Sequence, residues 1–209
     1  MLATHGAALP QRWMAGDDER GRPSGLRRRL ARVGERSLLA VPSHTTIRDL
    51  AMPPPAHGGQ GRHPPRPGQS VVAWSQALAD AAWRRIDVRD GAQGPLVVEA
   101  VTRRVVSSTH RRQQGDEALL TVIRSRDRDQ DAVVQVADSL SHTVPETALD
   151  AFARVAKAAH RIEVCLQRRK SEAGLADDAV RHWTGWQQHH TLAFLATWFL
   201  ERETPRGKK

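Results

Sequence analysis

The most constraining feature of this chain is a change in the period of its apolar residues. Between Leu96 and Val136 they fall into three short runs, Leu96 to Val106, Leu119 to Arg124 and Ala132 to Val136, separated by turn-rich segments such as Gly91 to Gly94. Runs of that length, rich in valine and bounded by turn residues, predict antiparallel strands in one small sheet. From Pro145 onward the pattern changes. Leu149, Phe152, Val155, Ala159, Ile162 and Leu166 recur every three or four residues, the period of a helix with one apolar face, and a second helix is predicted through Thr191 to Phe199. A chain with both periods belongs to a mixed α/β class.

The first fifty residues add a smaller pattern. Arg12 to Gly16 predicts a short strand, followed at once by Asp17, Asp18 and Glu19. Ser24 is expected to cap a helix whose apolar positions are Leu26, Leu30 and Val33, with Gly34 as its stop. Ser37 to Val41 reads as a buried strand closed by Pro42, which completes a strand–acid–helix–strand order. Pro53 to Gly68 is too rich in proline and glycine for regular structure and reads as a linker. A helix is then expected with Val71, Trp74, Leu78 and Ala82 on one face. The implied organisation is 12–50, a linker 51–70, a β-rich part 71–144 and a helical part 145–201.

Composition narrows the function. The 209 residues carry a formal net charge of +9, with 32 Lys and Arg against 23 Asp and Glu. A basic excess favours a polyanionic partner, because each cation placed on a phosphate releases counterions. It also fits a solvated, arginine-rich surface, and Arg27 to Arg29 divide evenly between lying along DNA and facing solvent. The single cysteine, Cys165, excludes an internal disulfide framework and a multi-cysteine zinc site. The longest apolar run, Leu192 to Leu200, is too short to span a bilayer, so no membrane association is expected, and a reducing cytoplasm fits.

Glu163 and Lys170 stand seven residues apart, close to two helical turns, so both project from one face of the predicted helix. A carboxylate between Ile162 and Leu166 would be costly to bury unless something bound it. A metal ion would serve, and the lysine could hold a phosphate. The bland alternative is a solvated acid and base. His182, His189 and His190 lack the cysteine partners or the spacing of a zinc site. Trp183 and Trp186 suit either packing or stacking on flipped bases.

Taken whole, Arg161 to Phe199 resembles the C-terminal block of DDE insertion-sequence transposases. That block has an acid and a lysine in an E-x6-K arrangement, followed by a run here written Gly174-Leu175, Val180-Arg181-His182-Trp183-Thr184-Gly185-Trp186 and His189-His190-Thr191-Leu192-Ala193-Phe194-Leu195-Ala196. The resemblance extends to Gly16-Asp17 and Gly21, which match a G-D-x-x-x-G pattern around the family's second catalytic aspartate, and to the strand ending near Pro42-Ser43-His44-Thr45. It implies an RNase H-like core with a β-rich insertion between the second and third acids. It implies catalytic and metal-binding roles for Asp17 and Glu163, phosphate contacts from Lys170 and Arg161, and Mg²⁺ or Mn²⁺ as cofactor. Double-stranded DNA, a homo-oligomeric assembly and a location on the nucleoid follow from the same resemblance. The sequence departs from the family at Ala156, Ala159 and His160, where a tyrosine, an arginine and an aromatic residue are usual. It has no acid before Asp17, so the strand bearing the first aspartate is expected to be missing and the core truncated at its N-terminus. A basic, non-catalytic DNA-binding remnant is the alternative.

Overall fold

The computed structural model describes residues 13–56, 58–59, 63–89, 96–108, 114–126, 133–142, 147–176 and 181–203. The structure is mixed α/β, and its described residues fall into two compact units that divide after Ala156. Eight strands of the first unit form one sheet.

Strand β1 (Met14–Gly16) leads into a four-residue helix α1 (Asp18–Gly21), then α2 (Ser24–Arg32), then β2 (Ser37–Ala40). β2 pairs with β1 in parallel, Ala15 opposite Leu38. The expected strand–acid–helix–strand order is therefore present. Gly34 ends α2 as read from the sequence: its φ is +70°, and the Gly34 and Glu35 N–H groups return to the Ala31 and Leu30 carbonyls at 3.1 and 3.0 Å. Ser24 is not the cap. Pro23 occupies that position without a side-chain bond, and the Ser24 hydroxyl instead accepts from Arg28 at 3.0 Å. Proline has no side-chain acceptor to offer the first turn, and the Leu26 N–H is met by the Pro23 carbonyl at 3.3 Å.

Two short strands, β3 (Thr46–Asp49) and β4 (Gln69–Ser70), flank the linker segment. Helix α3 is shorter than its periodicity suggested. It runs from Val71 to Gln76, and Asp80–Ala82 form a separate 3₁₀ turn before β5 (Arg84–Arg89). The long strands β6 (Leu96–Ser108), β7 (Gln114–Arg126) and β8 (Val133–Ser141) run antiparallel. β8 then pairs with β2, and β3 pairs with β6, so the segments expected as 12–50 and 71–144 contribute to a single sheet. The strand order is β1-β2-β8-β7-β6-β3-β4, with β5 also on β6.

Alternation along β6 and β7 creates two apolar faces. On one, Val101, Val105, Leu120, Val122 and Leu140 pack with Ile47 and with Val71 and Trp74 of α3. On the other, Val98, Ala100 and Ile123 pack with Ile86 and with Ala153 of α4 (Leu149–Glu172). Phe152, fully buried, meets the Trp13 ring edge-on at 5.4 Å. Burial of each such side chain contributes roughly 1.5–3 kcal/mol. The second unit holds the rest of α4 from Lys157 and helix α5 (Trp183–Glu203). No helix among the described residues is long and apolar enough to cross a membrane.

Candidate functional site

Asp17 lies immediately past the C-terminal end of β1. Its backbone is extended, its Oδ1 accepts from the Arg20 N–H at 3.0 Å, and it thereby caps α1. Asp18 and Glu19 occupy the first turn of that helix, where acidic charge complements the exposed N–H groups. The two glycines of the local pattern have physical reasons. A Cβ on Gly21 would sit 1.7 Å from the Ala40 carbonyl oxygen, and one on Gly16 would sit 2.9 Å from Leu39 Cδ2. Close approach of this turn to β2 thus admits only glycine at 21. It also fixes where the exposed Asp17 carboxylate is presented.

A buried arginine holds the turn from the other side. Arg27 donates through Nη1 to the Gly21 and Arg22 carbonyls and through Nη2 to Ser107 Oγ on β6, the last at 3.2 Å. Burial lowers its pKa, Arg28 adds repulsion, and Asp116 opposes both. This corrects the expectation for Arg27, while Arg28 and Arg29 are exposed. Arg27 neither lies along DNA nor faces solvent, because three oxygens inside the fold take its donors. Arg28 pairs with Asp116 at 3.0 Å.

The second set of residues lies on α4. His160, Glu163, Gln167 and Lys170 line one open groove along the helix, as the seven-residue spacing requires. Arg161 is exposed and is not among the groove's lining residues. The apolar setting expected around the acid is absent. Ile162 and Leu166 are exposed at 63% and 41%, and Glu163 is itself exposed. The apolar stripe is buried only over the first turns of α4, where the sheet covers it. Burial therefore places no demand on Glu163 for a bound cation. Asp17 belongs to the first unit and Glu163 to the second.

Three further features of the second unit escaped the sequence. Arg169, between half-buried Arg168 and exposed Lys170, is buried and stacks over the Phe194 ring at 3.5 Å. Its Nε and Nη2 have no hydrogen-bond partner among the described residues. Trp183 and Trp186 stack on each other, with centroids 4.8 Å apart and planes 11° apart, and His190 continues the stack at 4.0 Å. Trp183 remains 67% exposed, so the pair packs on itself rather than into a core.

Two buried aspartates in the sheet behave differently. Asp49 accepts from Trp74 Nε1 at 3.0 Å and from the Ala51 N–H at 2.8 Å, and lies 3.5 Å from Arg103 Nε. Asp138 on β8 has no partner for Oδ1 among the described residues, and burial pushes its pKa up to about 6.

The carboxylates of Asp17 and Glu163 are hard oxygen donors of the type that suits Mg²⁺. In number they fall short: among the described residues no group of three or more His, Cys, Asp or Glu is placed to share a metal ion. No protein-family model matches the chain, and no curated protein matches it.

Proposed function

We propose that this chain carries part of a DDE transposase catalytic core, RNase H-like in type, with Asp17 as the second acid and Glu163 as the third. The observation that carries the reading is the position of Asp17. It sits beyond the carboxyl end of a strand in the parallel β1–β2 pair, the place where open α/β sheets bind ligands, in a turn that only glycine at 21 allows. The presentation of Glu163 and Lys170 on one groove, in the E-x6-K spacing, supports it. The reaction would be metal-dependent cleavage and joining of DNA strands. Mg²⁺ or Mn²⁺ held by the two carboxylates would supply Lewis acidity toward the phosphodiester. Lys170, with Arg161, would contact DNA phosphates. DNA as partner, a homo-oligomeric assembly and a nucleoid location belong to the same reading.

The residues before Asp17 supply no acid. β1 is an edge of the described sheet, where one further strand can add. The test is a nicking and strand-transfer assay on supercoiled DNA with Mg²⁺ or Mn²⁺. The 209 residues alone are expected to be inactive, and a chain extended upstream by an aspartate-bearing strand is expected to cut DNA and to lose that activity on Glu163→Ala. Cleavage by the extended chain that survives Glu163→Ala and Asp17→Ala overturns the assignment.

One observation favours the alternative, a non-catalytic DNA-binding remnant. An Asp17 oxygen is already engaged as a helix cap. On that reading duplex binding falls steeply with salt while cleavage is absent from both chains.

A further inference from the structure

Beside the Asp17 turn, but using neither assigned acid, the first unit contains a concave space of about 710 Å³. Its rim and walls include Arg22, Arg27, His44 and Arg48, with hydroxyls from Thr45 and Ser108. Among the described residues no carboxylate lines it. The counter-charges lie outside the lining: Asp18 touches exposed Arg22 at 3.4 Å, and Asp116 acts on Arg27. We propose that this pocket binds a phosphate monoester carried on an organic body of roughly nucleotide size.

Three arguments lead there. First, three guanidinium groups converge on one concavity beside the His44 imidazole, and like charges so grouped repel unless an anion joins them. Second, the groups are preorganised. Arg48 is held by Nε to the Arg66 carbonyl at 3.0 Å and by Nη1 to Ser108 Oγ at 3.2 Å, which fixes the direction of its remaining donors, while Arg27, its donors taken by the Gly21, Arg22 and Ser107 oxygens, supplies positive charge at the wall. A guanidinium gives charge-assisted bonds to phosphate oxygens, and fixing it beforehand lowers the ordering cost of binding. Third, Pro23, Val41 and Pro42 supply apolar wall, and the space falls within the range of small-molecule sites. Bare phosphate leaves most of that space empty; a nucleoside attached to it does not. The inference stands without the transposase reading, since none of these residues is Asp17 or Glu163.

The phosphate has two candidate sources, a free nucleotide and the 5′-phosphate of a DNA strand. The experiment titrates the full chain with dAMP, with a short 5′-phosphorylated duplex and with the same duplex bearing 5′-hydroxyls. Three proteins are compared: wild type, Arg22→Gln and Arg32→Gln. Arg22 is exposed, so its replacement leaves the core intact, which a thermal melt verifies. Arg32 is an exposed arginine of α2 that does not line the pocket, and Arg32→Gln removes the same charge. Loss of one charged hydrogen-bond donor weakens binding roughly tenfold. The expected result is that loss in Arg22→Gln and none in Arg32→Gln. Binding of dAMP identifies a free nucleotide, and preference for the phosphorylated duplex identifies a strand end. Either one supports the pocket. Absence of both overturns it, as does equal weakening in the two variants, which reports net charge alone.

Discussion

Leu120 and Leu195 are the same side chain in opposite settings. Leu120, in the middle of β7, is fully buried between β6 and β8, in a cluster that α3 covers. Leu195, on α5, is more than half exposed, as are Leu192, Phe194, Trp198 and Phe199 around it. The first unit shields its apolar side chains through strand pairing and two helical covers. The second places large apolar groups at its surface, and the side-chain contacts of its described residues include the Arg169–Phe194 stack, the Arg202–Trp198 pair, the Arg168–Glu172 ion pair and the tryptophan–histidine ladder. Stability in this molecule is therefore expected to concentrate in the sheet.

The comparison breaks most directly at Leu120. Leu120→Ala is expected to cost about 4 kcal/mol in urea unfolding, from lost burial and an unfilled cavity. A loss below about 1 kcal/mol would show the sheet to be as loosely held as α5. Gly21→Ala is expected to cost about 3 kcal/mol, because the added methyl meets the Ala40 carbonyl and two backbone segments must part. The same titration on Gly25→Ala, where a Cβ meets nothing within 4 Å, supplies the control.

Asp138 sharpens the comparison through pH. Its folded pKa is raised to about 6 by burial, above the unfolded value, so the native state holds the proton more tightly. Its contribution to stability is complete below the unfolded value and is lost as pH rises through about 6. Asp138→Asn is therefore expected to gain on the order of 2 kcal/mol above pH 6 and to gain little near pH 4. Thermal melts across that range check it, and a gain that does not vary with pH would remove burial as the cause. The smallest effect is expected at Leu195. Leu195→Ala should change stability by less than about 0.5 kcal/mol. A loss matching Leu120→Ala would mean that α5 is covered in solution.

The same contrast explains what could be read from the residues in advance. β1, α2 and the Gly34 stop are encoded locally, in a short apolar spacing and a glycine free to adopt positive φ. The long hairpin was visible but underestimated. Glu117 on β7, and Ser139 and Ser141 at the end of β8, join the ladder because neighbouring strands satisfy their backbones, not because their side chains are apolar. β3 was missed for the related reason that Thr46–Asp49 offers one apolar residue, Ile47, and owes its pairing to β6. At the candidate site, the shared face of Glu163 and Lys170 follows from helical spacing, whereas its exposure does not. The stripe continues in sequence past the point where the sheet stops covering it. Burial of Arg27 and Arg169 was equally illegible, since each sits in a row of identical charges and only the fold selects one.

The bond from Arg27 to Ser107 spans 80 residues. During synthesis the ribosome delivers the Asp17 turn, α2 and β2 long before β6, and β8, the other neighbour of β2, emerges later still. β2 and the Gly21 and Arg22 carbonyls are near in sequence, but the Arg27–Ser107 bond and the β2–β8 pairing that brace the turn come from far along the chain, so full closure belongs to a late step of folding, after slow non-local pairing. Nascent or C-terminally shortened chains that end before Ser107 hold β1 and β2 without that lock, with β2 presenting an unpaired apolar edge to other chains.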